Sequence, residues 1–312
     1  MTKTEFDPSR RRTLLQLGLG LLACSGPLAA PTHAAQRPLR VITLFQGATD
    51  CAVALGIIPC AIVESWTEKP VYRYLRPTLQ QVPQVGLETQ PSLEDISLLE
   101  PDLIVASRFR HERIAPLLRR LAPLVMLDHI YEFKQTLALM GQALQRQQQA
   151  ESLLAGWQRR IVRLRHRLQQ RFAEHWPPTV SVLDIRADHV RSYLPDSFSG
   201  RVLTELGFDW SAAARAEDGV SIKITSRESL PVVNADIFFL FLRADSPSIQ
   251  QHYAALAAHP LWQRMRAPRQ GRVYRVDGVA WSLSGGFLGA NLMLDQIERL
   301  VIDGLVIDGE TA

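Results

Sequence analysis

The stretch between Pro123 and Pro177 contains no proline and carries apolar residues at steps of three and four. These apolar positions are Phe133, Leu137, Met140, Leu144, Trp157, Ile161, Leu164, Leu168 and Phe172. Such spacing is typical of an amphipathic helix. We predict a continuous helix over residues 129–172, which at about 1.5 Å per residue would reach roughly 60 Å and exceed the width of a small lobe. The helix would therefore connect two lobes.

The segments on either side of this helix resemble one another. Residues 92–105 (SLEDISLLEPDLIV) align without gaps with residues 226–239 (SRESLPVVNADIFF). In each copy a serine, Ser92 or Ser226, is placed to cap a short helix that has glutamate in its first turn. Each copy then enters a continuous apolar run, which is typical of a strand buried on both faces.

Each half also opens with a strand-like stretch, at residues 40–45 and 179–185. The predicted fold class is therefore α/β, with two similar lobes that have mainly parallel sheets and are joined by one long interdomain helix. At 312 residues the chain is long enough for two cores.

The start of the chain has the pattern of an export signal. Three consecutive arginines, residues 10–12, precede a short apolar run at 17–24, and small residues follow up to Ala34 and Ala35. The run is shorter than the about 20 apolar residues that span a bilayer. This pattern favours export by the twin-arginine route with cleavage near Ala34 or Ala35, and hence a periplasmic protein. A lipid anchor at Cys24 is the alternative, since residues 21–24 loosely resemble a lipobox.

The predicted domains follow from these features. They are a cleaved export signal at 1–35, an N-terminal lobe at 36–128, the interdomain helix at 129–173 and a C-terminal lobe at 174–312. An oxidising compartment permits a disulfide between Cys51 and Cys60. Their neighbours predict a helix end and the following strand, so pairing depends on a geometry that the sequence leaves open, and two buried free thiols are preferred.

Charge excludes one class of partner. The chain has 35 Lys and Arg against 31 Asp and Glu. A nucleic-acid surface needs basic residues clustered on one face, and this excess is too small to indicate one. The arginines of the predicted helix have no aromatic residues between them, so we interpret them as a solvated face.

Arginine follows the predicted strands of both lobes. Ligands of open parallel α/β sheets lie beyond the carboxyl ends of the strands. Guanidinium groups stay charged and bind carboxylates in two-point fashion, so arginines at this edge favour an anionic ligand. The candidates are Arg108 and Arg110 after residues 103–106, Arg186 and Arg191 after residues 180–185, and Arg243 after residues 237–242.

Two tryptophans are candidates for packing against the flat apolar parts of a chelate. Trp281 lies among small residues ahead of a predicted amphipathic helix at 287–301, and Trp66 lies with Tyr72 after the second strand. Burial in the core is the alternative interpretation for these aromatic residues.

With these residues the chain resembles the class III substrate-binding proteins of bacterial ABC importers, in particular the ferric citrate and ferric hydroxamate siderophore receptors. The segments that carry the resemblance are 85–94 (VGLETQPSLE), 100–104 (EPDLI), 259–265 (HPLWQRM) and 271–277 (GRVYRVD), the last leading to Trp281. The resemblance implies a bilobal monomeric receptor with small hinge motion. It also implies an Fe(III)-siderophore held between the lobes, no cofactor, and delivery to an inner-membrane permease driven by an ATPase.

In this group a surface carboxylate on each lobe docks on permease arginines. By position the resemblance assigns these roles to Glu112 and Glu228, with Glu94 as the alternate in the first lobe. Helix capping or simple solvation is the other interpretation of Glu94 and Glu228.

Departures from the family pattern bear on the ligand. Hydroxamate receptors are expected to have arginine where this chain has Glu88, and a cleft tyrosine where it has Arg110. Both changes favour a carboxylate chelate such as ferric dicitrate. Citrate receptors are expected to have arginine just after the tryptophan, where this chain has residues 283–285 (LSG). Ferric hydroxamate, haem and cobalamin therefore stay open as alternatives.

A secreted enzyme is the alternative from another class. The sequence has no Gly-x-Ser-x-Gly, His-Glu-x-x-His or Cys-x-x-Cys motif and no phosphate-binding glycine loop, so no catalytic residue is assigned. The eight histidines are scattered, and no metal ligands are assigned either.

Overall fold

The computed structural model describes residues 39–304, in which helices and strands alternate to build two β-sheets. The predicted export signal, its cleavage point near Ala34 or Ala35 and the alternative anchor at Cys24 lie outside the described residues. No helix between residues 39 and 304 combines the length and the apolar character needed to cross a membrane.

The first sheet has six strands in the order β4-β3-β2-β1-β5-β6, and only the β3–β4 pair is antiparallel. Its central strands β1 and β5 are buried along their whole length, as their apolar runs predict. The elements are β1 (Val41–Thr43), α1 (Gln46–Ala54), β2 (Ala61–Glu64), α2 (Arg76–Leu79), β3 (Gln84–Leu87), β4 (Gln90–Pro91), α3 (Leu93–Leu98), β5 (Leu103–Ser107), α4 (Arg108–His111), α5 (Ala115–Leu121) and β6 (Leu124–Leu127).

Two helices connect the sheets, α6 (Phe133–Ala143) and α7 (Gln147–Phe172). The prediction of a continuous helix over residues 129–172 is therefore wrong. Gln145 has a φ of 56°, a left-handed conformation that an α-helix does not continue through. α7 is the long interdomain helix, with 26 residues and a length of about 39 Å. Its predicted apolar face is buried, while the lobe boundaries at residues 128 and 174 stay predictions.

The second sheet has the order β10-β8-β7-β11-β12, with β9 also paired to β7. Strand β8 is antiparallel to both its neighbours, and the other pairs are parallel. The elements are β7 (Thr179–Ile185), β8 (Val190–Tyr193), α8 (Phe198–Leu206), β9 (Asp209–Trp210), α9 (Ala212–Ala216), β10 (Ser221–Ile224), β11 (Ile237–Leu242), α10 (Pro247–Ala257), α11 (Pro260–Arg264), α12 (Arg266–Arg269), β12 (Val273–Arg275) and α13 (Phe287–Ile297).

The sequence repeat has the same structural role in both lobes. The side chains of Ser92 and Ser226 accept hydrogen bonds from backbone N–H groups two or three residues later, as predicted for helix caps. The following turn is α-helical in the first lobe and a 3-10 helix, Arg227–Val233, in the second. Asp102 and Asp236 each accept a backbone N–H at the start of the lobe's first strand, at 2.8 and 2.9 Å. In each lobe the repeat therefore joins a short helix to a pair of neighbouring strands, β1 and β5 in the first lobe and β7 and β11 in the second.

A single hydrophobic cluster spans both lobes. It contains Val105 from the first sheet, Phe239 from the second and Trp157 from α7. Separating the lobes would expose this apolar surface to water, which favours limited relative motion. Both cysteines are free thiols, as preferred from the sequence, with Cys51 buried and Cys60 only partly buried.

Asp50 ties α1 to the N-terminus of α13. Its carboxylate is fully buried and accepts hydrogen bonds from Leu288 N at 2.7 Å, Gly289 N at 2.9 Å and Tyr74 Oη at 2.7 Å. A side chain at Gly286 would collide with this carboxylate, because a Cβ there would lie 2.3 Å from it. Burial raises the pKa of Asp50 to about 6. Asp50 is therefore a buried cap that joins distant parts of the chain.

Candidate functional site

A cavity lies where the carboxyl ends of the strands of both sheets face each other. The first lobe contributes the segments after β1, β2, β3, β5 and β6, and the second contributes strand β8 and the segments after β7, β11 and β12. This is the edge at which the sequence predicts a ligand. Among the residues that line it are Gln46, Trp66, Glu88, Arg110 and Tyr131 on one side and Arg186, Arg191, Tyr193, Arg243 and Ser282 on the other.

The structure brings four of the five candidate arginines together, namely Arg110, Arg186, Arg191 and Arg243, along with Trp66. Glu88 is the one carboxylate among the lining residues of this cavity in the described part of the chain. The cavity surface therefore carries an excess of positive charge, which is suited to an anion.

Arg108 does not belong to this cavity. Its side chain is about half exposed and pairs with Asp128 at 2.7 Å and with Glu112 at 3.3 Å. The reason is that α4 begins at Arg108, and two residues of helix rotate a side chain by about 200°. Of the two, Arg110 alone lines this cavity, and the expectation of a strand-end loop with both arginines in the cleft is corrected.

Trp281 is also placed elsewhere, in the core under α13. It is fully buried, its ring centroid lies 4.6 Å from that of Phe239, and its Nε1 donates to Gln296 Oε1 at 2.8 Å. A π-helical turn, Val279–Leu283, carries it inward and leaves Ser282 at the cavity. Tyr72 is buried as well. For these two aromatic residues the core interpretation agrees with the structure.

Arg110 is held from three directions. Its Nε donates to Glu88 Oε1 at 3.3 Å, and its guanidinium carbon lies 5.4 Å from the ring centroid of Trp66 and 4.8 Å from that of Phe109. Cation–π contacts and an ion pair fix the orientation of the guanidinium group. Arg110 is therefore pre-oriented at the cavity.

Glu88 is nearly buried, with 5% of its surface exposed. Its Oε2 accepts hydrogen bonds from Gln46 N and from Trp66 Nε1, both at 3.2 Å. Burial raises the pKa of Glu88, and the hydrogen bonds and Arg110 oppose that shift. Glu88 thereby connects α1, the loop after β2 and α4 at one wall of the cavity.

The arginines of the second lobe surround Asp184, which is fully buried. Arg186 donates to Asp184 Oδ2 from Nε at 3.0 Å and from Nη2 at 2.9 Å, whereas Arg243 lies 3.8 Å from that oxygen. Within residues 39–304, the Nε of Arg191 is buried and has no hydrogen-bond partner. Asp184 therefore offsets Arg186. In the second lobe Arg191 Nε and Arg243 Nη1 are both buried without a hydrogen bond within the described residues, so each is a donor that a ligand oxygen could satisfy.

Sequence reasoning missed the four hydroxyl-bearing residues of the lining, Tyr131, Tyr193, Ser282 and Ser284. The hydroxyls of Tyr193 and Ser282 lie 2.7 Å apart. Tyr193 follows Arg191 by two residues on β8, so strand alternation places both on one face. That alternation was the signal that could have identified Tyr193.

The carboxylates predicted to dock a permease lie on the surface. Glu112 is exposed and pairs with Arg108 at 3.3 Å. Glu228 is exposed in the first turn of its 3-10 helix, where its N–H bonds to Ser226. Glu94 is exposed in the first turn of α3. The docking roles stay predictions.

Residues 41–280 match the model of the family described as periplasmic binding protein. The chain belongs to this family. It is 63% identical over 296 residues to an achromobactin-binding periplasmic protein of Dickeya dadantii, covering 95% of this chain and 97% of the relative. A probable siderophore-binding lipoprotein of Bacillus subtilis is 32% identical over 269 residues, which cover 84% of this chain and 82% of the relative.

A solved structure agrees with these relatives. The crystal structure of Staphylococcus aureus SirA complexed with staphyloferrin B superposes with a TM-score of 0.80 at 34% identity, covering 86% of this chain and 94% of the other. The predicted membership among the class III siderophore-binding proteins of ABC importers is thereby confirmed. The relatives named here are binding proteins, either periplasmic proteins or lipoproteins.

Proposed function

We propose that this chain is the periplasmic receptor of an ABC importer and binds an anionic ferric siderophore in the cavity between its lobes. The observation that carries the proposal is the convergence of four arginines on a cavity with one lining carboxylate. A neutral ligand would desolvate these guanidinium groups without adding negative charge to offset their excess, which is costly, whereas an anionic ligand would supply that charge. The role ends with binding and delivery, without catalysis.

Ferric achromobactin is the first candidate ligand. Its support is the name of the relative that is 63% identical over nearly the whole chain. Staphyloferrin B, the ligand in the SirA complex, is the second candidate. Ferric dicitrate is the third candidate, because an arginine-rich lining is suited to a carboxylate chelate.

The partner in transport would be an inner-membrane permease. Glu112 and Glu228 are exposed and would offer one carboxylate on each lobe to basic residues of the permease. Glu112 would have to exchange its pairing with Arg108, an exposed ion pair of the kind that contributes little to stability. Alanine at either glutamate is expected to reduce transport in permease-containing vesicles without changing the affinity for the chelate.

A tryptophan-fluorescence titration of residues 36–312 tests the proposed function. Trp66 lies at the cavity, so a bound ferric chelate is expected to quench its emission. We expect saturable quenching by ferric achromobactin, ferric staphyloferrin B or ferric dicitrate, and none by iron-free citrate. A lack of response to these three, with saturable binding of a ferric hydroxamate, haem or cobalamin, would reject the anionic siderophore.

Arg110 and Arg108 form a matched pair for mutation. Replacing Arg110 with alanine is expected to weaken binding about tenfold or more through the lost charge-assisted contact. The thermal midpoint should change little, because Arg110 is partly exposed and because Glu88, whose pKa burial already raises, can take up a proton once it is unpaired. Replacing Arg108, which lies two residues away and outside the cavity, should leave affinity unchanged. A large fall in stability on replacing Arg110 would instead indicate a structural residue.

A further inference from the structure

Glu88 places a carboxylate inside a cavity that is otherwise suited to an anion. It lies in the segment after β3, and 95% of its surface is removed from solvent, given its 5% exposure. Both carboxylate oxygens are engaged, Oε1 by Arg110 and Oε2 by Gln46 and Trp66. An anionic chelate on the same surface would meet a like charge at this one position.

The groups around Glu88 leave Arg110 as its only direct counter-charge among the described residues. Gln46 and Trp66 donate hydrogen bonds from neutral N–H groups to the Glu88 carboxylate. The Nε2 of His111 lies 2.8 Å from the backbone oxygen of Glu88, so His111 contacts the main chain and leaves the carboxylate to the other groups. Burial lowers the pKa of His111, and its Nδ1 accepts a hydrogen bond from Ser107 N at 3.1 Å, as an unprotonated ring nitrogen does. The other titratable or charged groups that face Glu88 or share its cavity are Tyr72, Tyr131, Tyr193, Arg186, Arg191 and Arg243.

An anionic ligand would act on Glu88 in two ways. Its negative charge would repel the ionised carboxylate directly, and it would compete with that carboxylate for the Arg110 guanidinium group, now 3.3 Å away. Both effects favour the neutral acid, which could also donate a hydrogen bond to a ligand oxygen. Oε1 is the oxygen that could carry this proton. Its hydrogen-bond donor is Arg110, the group that the ligand would draw away.

We propose that Glu88 takes up a proton when the anionic chelate binds, so that Glu88 sets the charge of the ligand that the cavity accepts. The inference rests on the proposed function and adds a proton to the binding equilibrium. A carboxylic acid at this position accommodates the anion, and an ionised carboxylate opposes it. The receptor therefore binds more tightly as the pH falls.

The direction of the pH effect follows from linkage. Burial already raises the pKa of Glu88 in the free receptor, and the bound anion raises the pKa further. Between the two pKa values the complex holds a proton that the free receptor lacks, so affinity increases as the pH falls through this range. Each unit by which binding raises the pKa adds about tenfold to the affinity at low pH.

Isothermal titration calorimetry with ferric achromobactin from pH 5.5 to pH 8 tests this inference, with the wild type compared against Glu88→Gln. Calorimetry is preferable to fluorescence because Glu88 accepts a hydrogen bond from Trp66. The titration of the chelate itself is common to both proteins and cancels in the comparison. We expect the wild type to gain about tenfold more affinity than E88Q on going from pH 8 to pH 5.5.

A second measurement uses the wild type alone. Repeating its titration in buffers of different ionisation enthalpy gives the number of protons that are taken up on binding. Uptake of up to about one proton beyond that of the chelate is expected near the midpoint of the pH dependence. Parallel pH profiles of wild type and E88Q, or no proton uptake by the wild type, overturn the inference and leave the proposed function standing. Absence of binding at every pH overturns both.

Discussion

Replacing Arg191 with alanine is expected to lower the affinity for an anionic ferric chelate by about 10- to 100-fold, the loss of one charge-assisted contact. Arg191 lies on β8 at the cavity, and its Nε is buried without a hydrogen-bond partner within residues 39–304. Burying this donor without a hydrogen bond costs free energy in the ligand-free receptor. The same substitution should therefore leave the free energy of unfolding unchanged or increase it.

Affinity by calorimetry and stability by urea unfolding, measured on the same Arg191→Ala preparation, separate the two effects. Arg227, an exposed arginine of the same half, provides the control, and its alanine variant should change neither quantity. Retained affinity together with reduced stability would contradict the assignment. That result would show that Arg191 supports the fold and does not bind the ligand.

Replacing Asp50 with alanine should destabilise the protein by about 3 kcal/mol or more, the cost of leaving several buried donors unsatisfied. The donors are the N–H groups of Leu288 and Gly289 and the hydroxyl of Tyr74. These contacts join α1 and the segment after β2 to α13, residues more than 200 positions further along the chain. Urea unfolding measures the loss, and a change below 1 kcal/mol would contradict the role of Asp50 as a buried cap.

The Asp50→Asn variant isolates the charge of this cap. Burial raises the pKa of Asp50 to about 6 from 3.8, so the folded state holds its proton more tightly than the unfolded state. The associated stability is fully present below pH 4 and is lost as the pH rises through 6. From pH 4 to pH 7 the wild type should lose about 3 kcal/mol relative to D50N. Parallel pH profiles of the two proteins would contradict this expectation.

The arginines of the cavity could be predicted because they come after strands that the sequence marks clearly. The apolar runs ending at Ile185 and Leu242 fix where Arg186 and Arg243 emerge, and parallel strands present their carboxyl ends at one edge. Arg108 could not be separated from Arg110 in this way. Their different positions relative to the cavity depend on α4 starting directly after β5, and a run of four residues has no periodicity that reveals such a short helix.

The other differences have their origin in packing between distant segments. Trp281 has the local sequence of an exposed loop, but its ring fills a space against Phe239 that the second sheet creates. Beside the break between α6 and α7 the two helices pack closely at Gly141, where a Cβ would lie 2.6 Å from that of Ala150. Gln145 has a left-handed backbone conformation, but neither it nor its two neighbours in sequence is a glycine or proline that would indicate the end of a helix. Such tertiary contacts are absent from any local pattern of hydrophobic positions.

The most direct test is the position of iron in crystals of residues 36–312 grown with ferric achromobactin, determined by anomalous scattering at the iron absorption edge. We expect one iron peak in the cavity between the lobes, with chelate oxygens bonded to Arg110, Arg191 and Arg243. Iron bound outside this cavity, or a chelate in the cavity that makes no contact with these arginines, would contradict the proposed binding site.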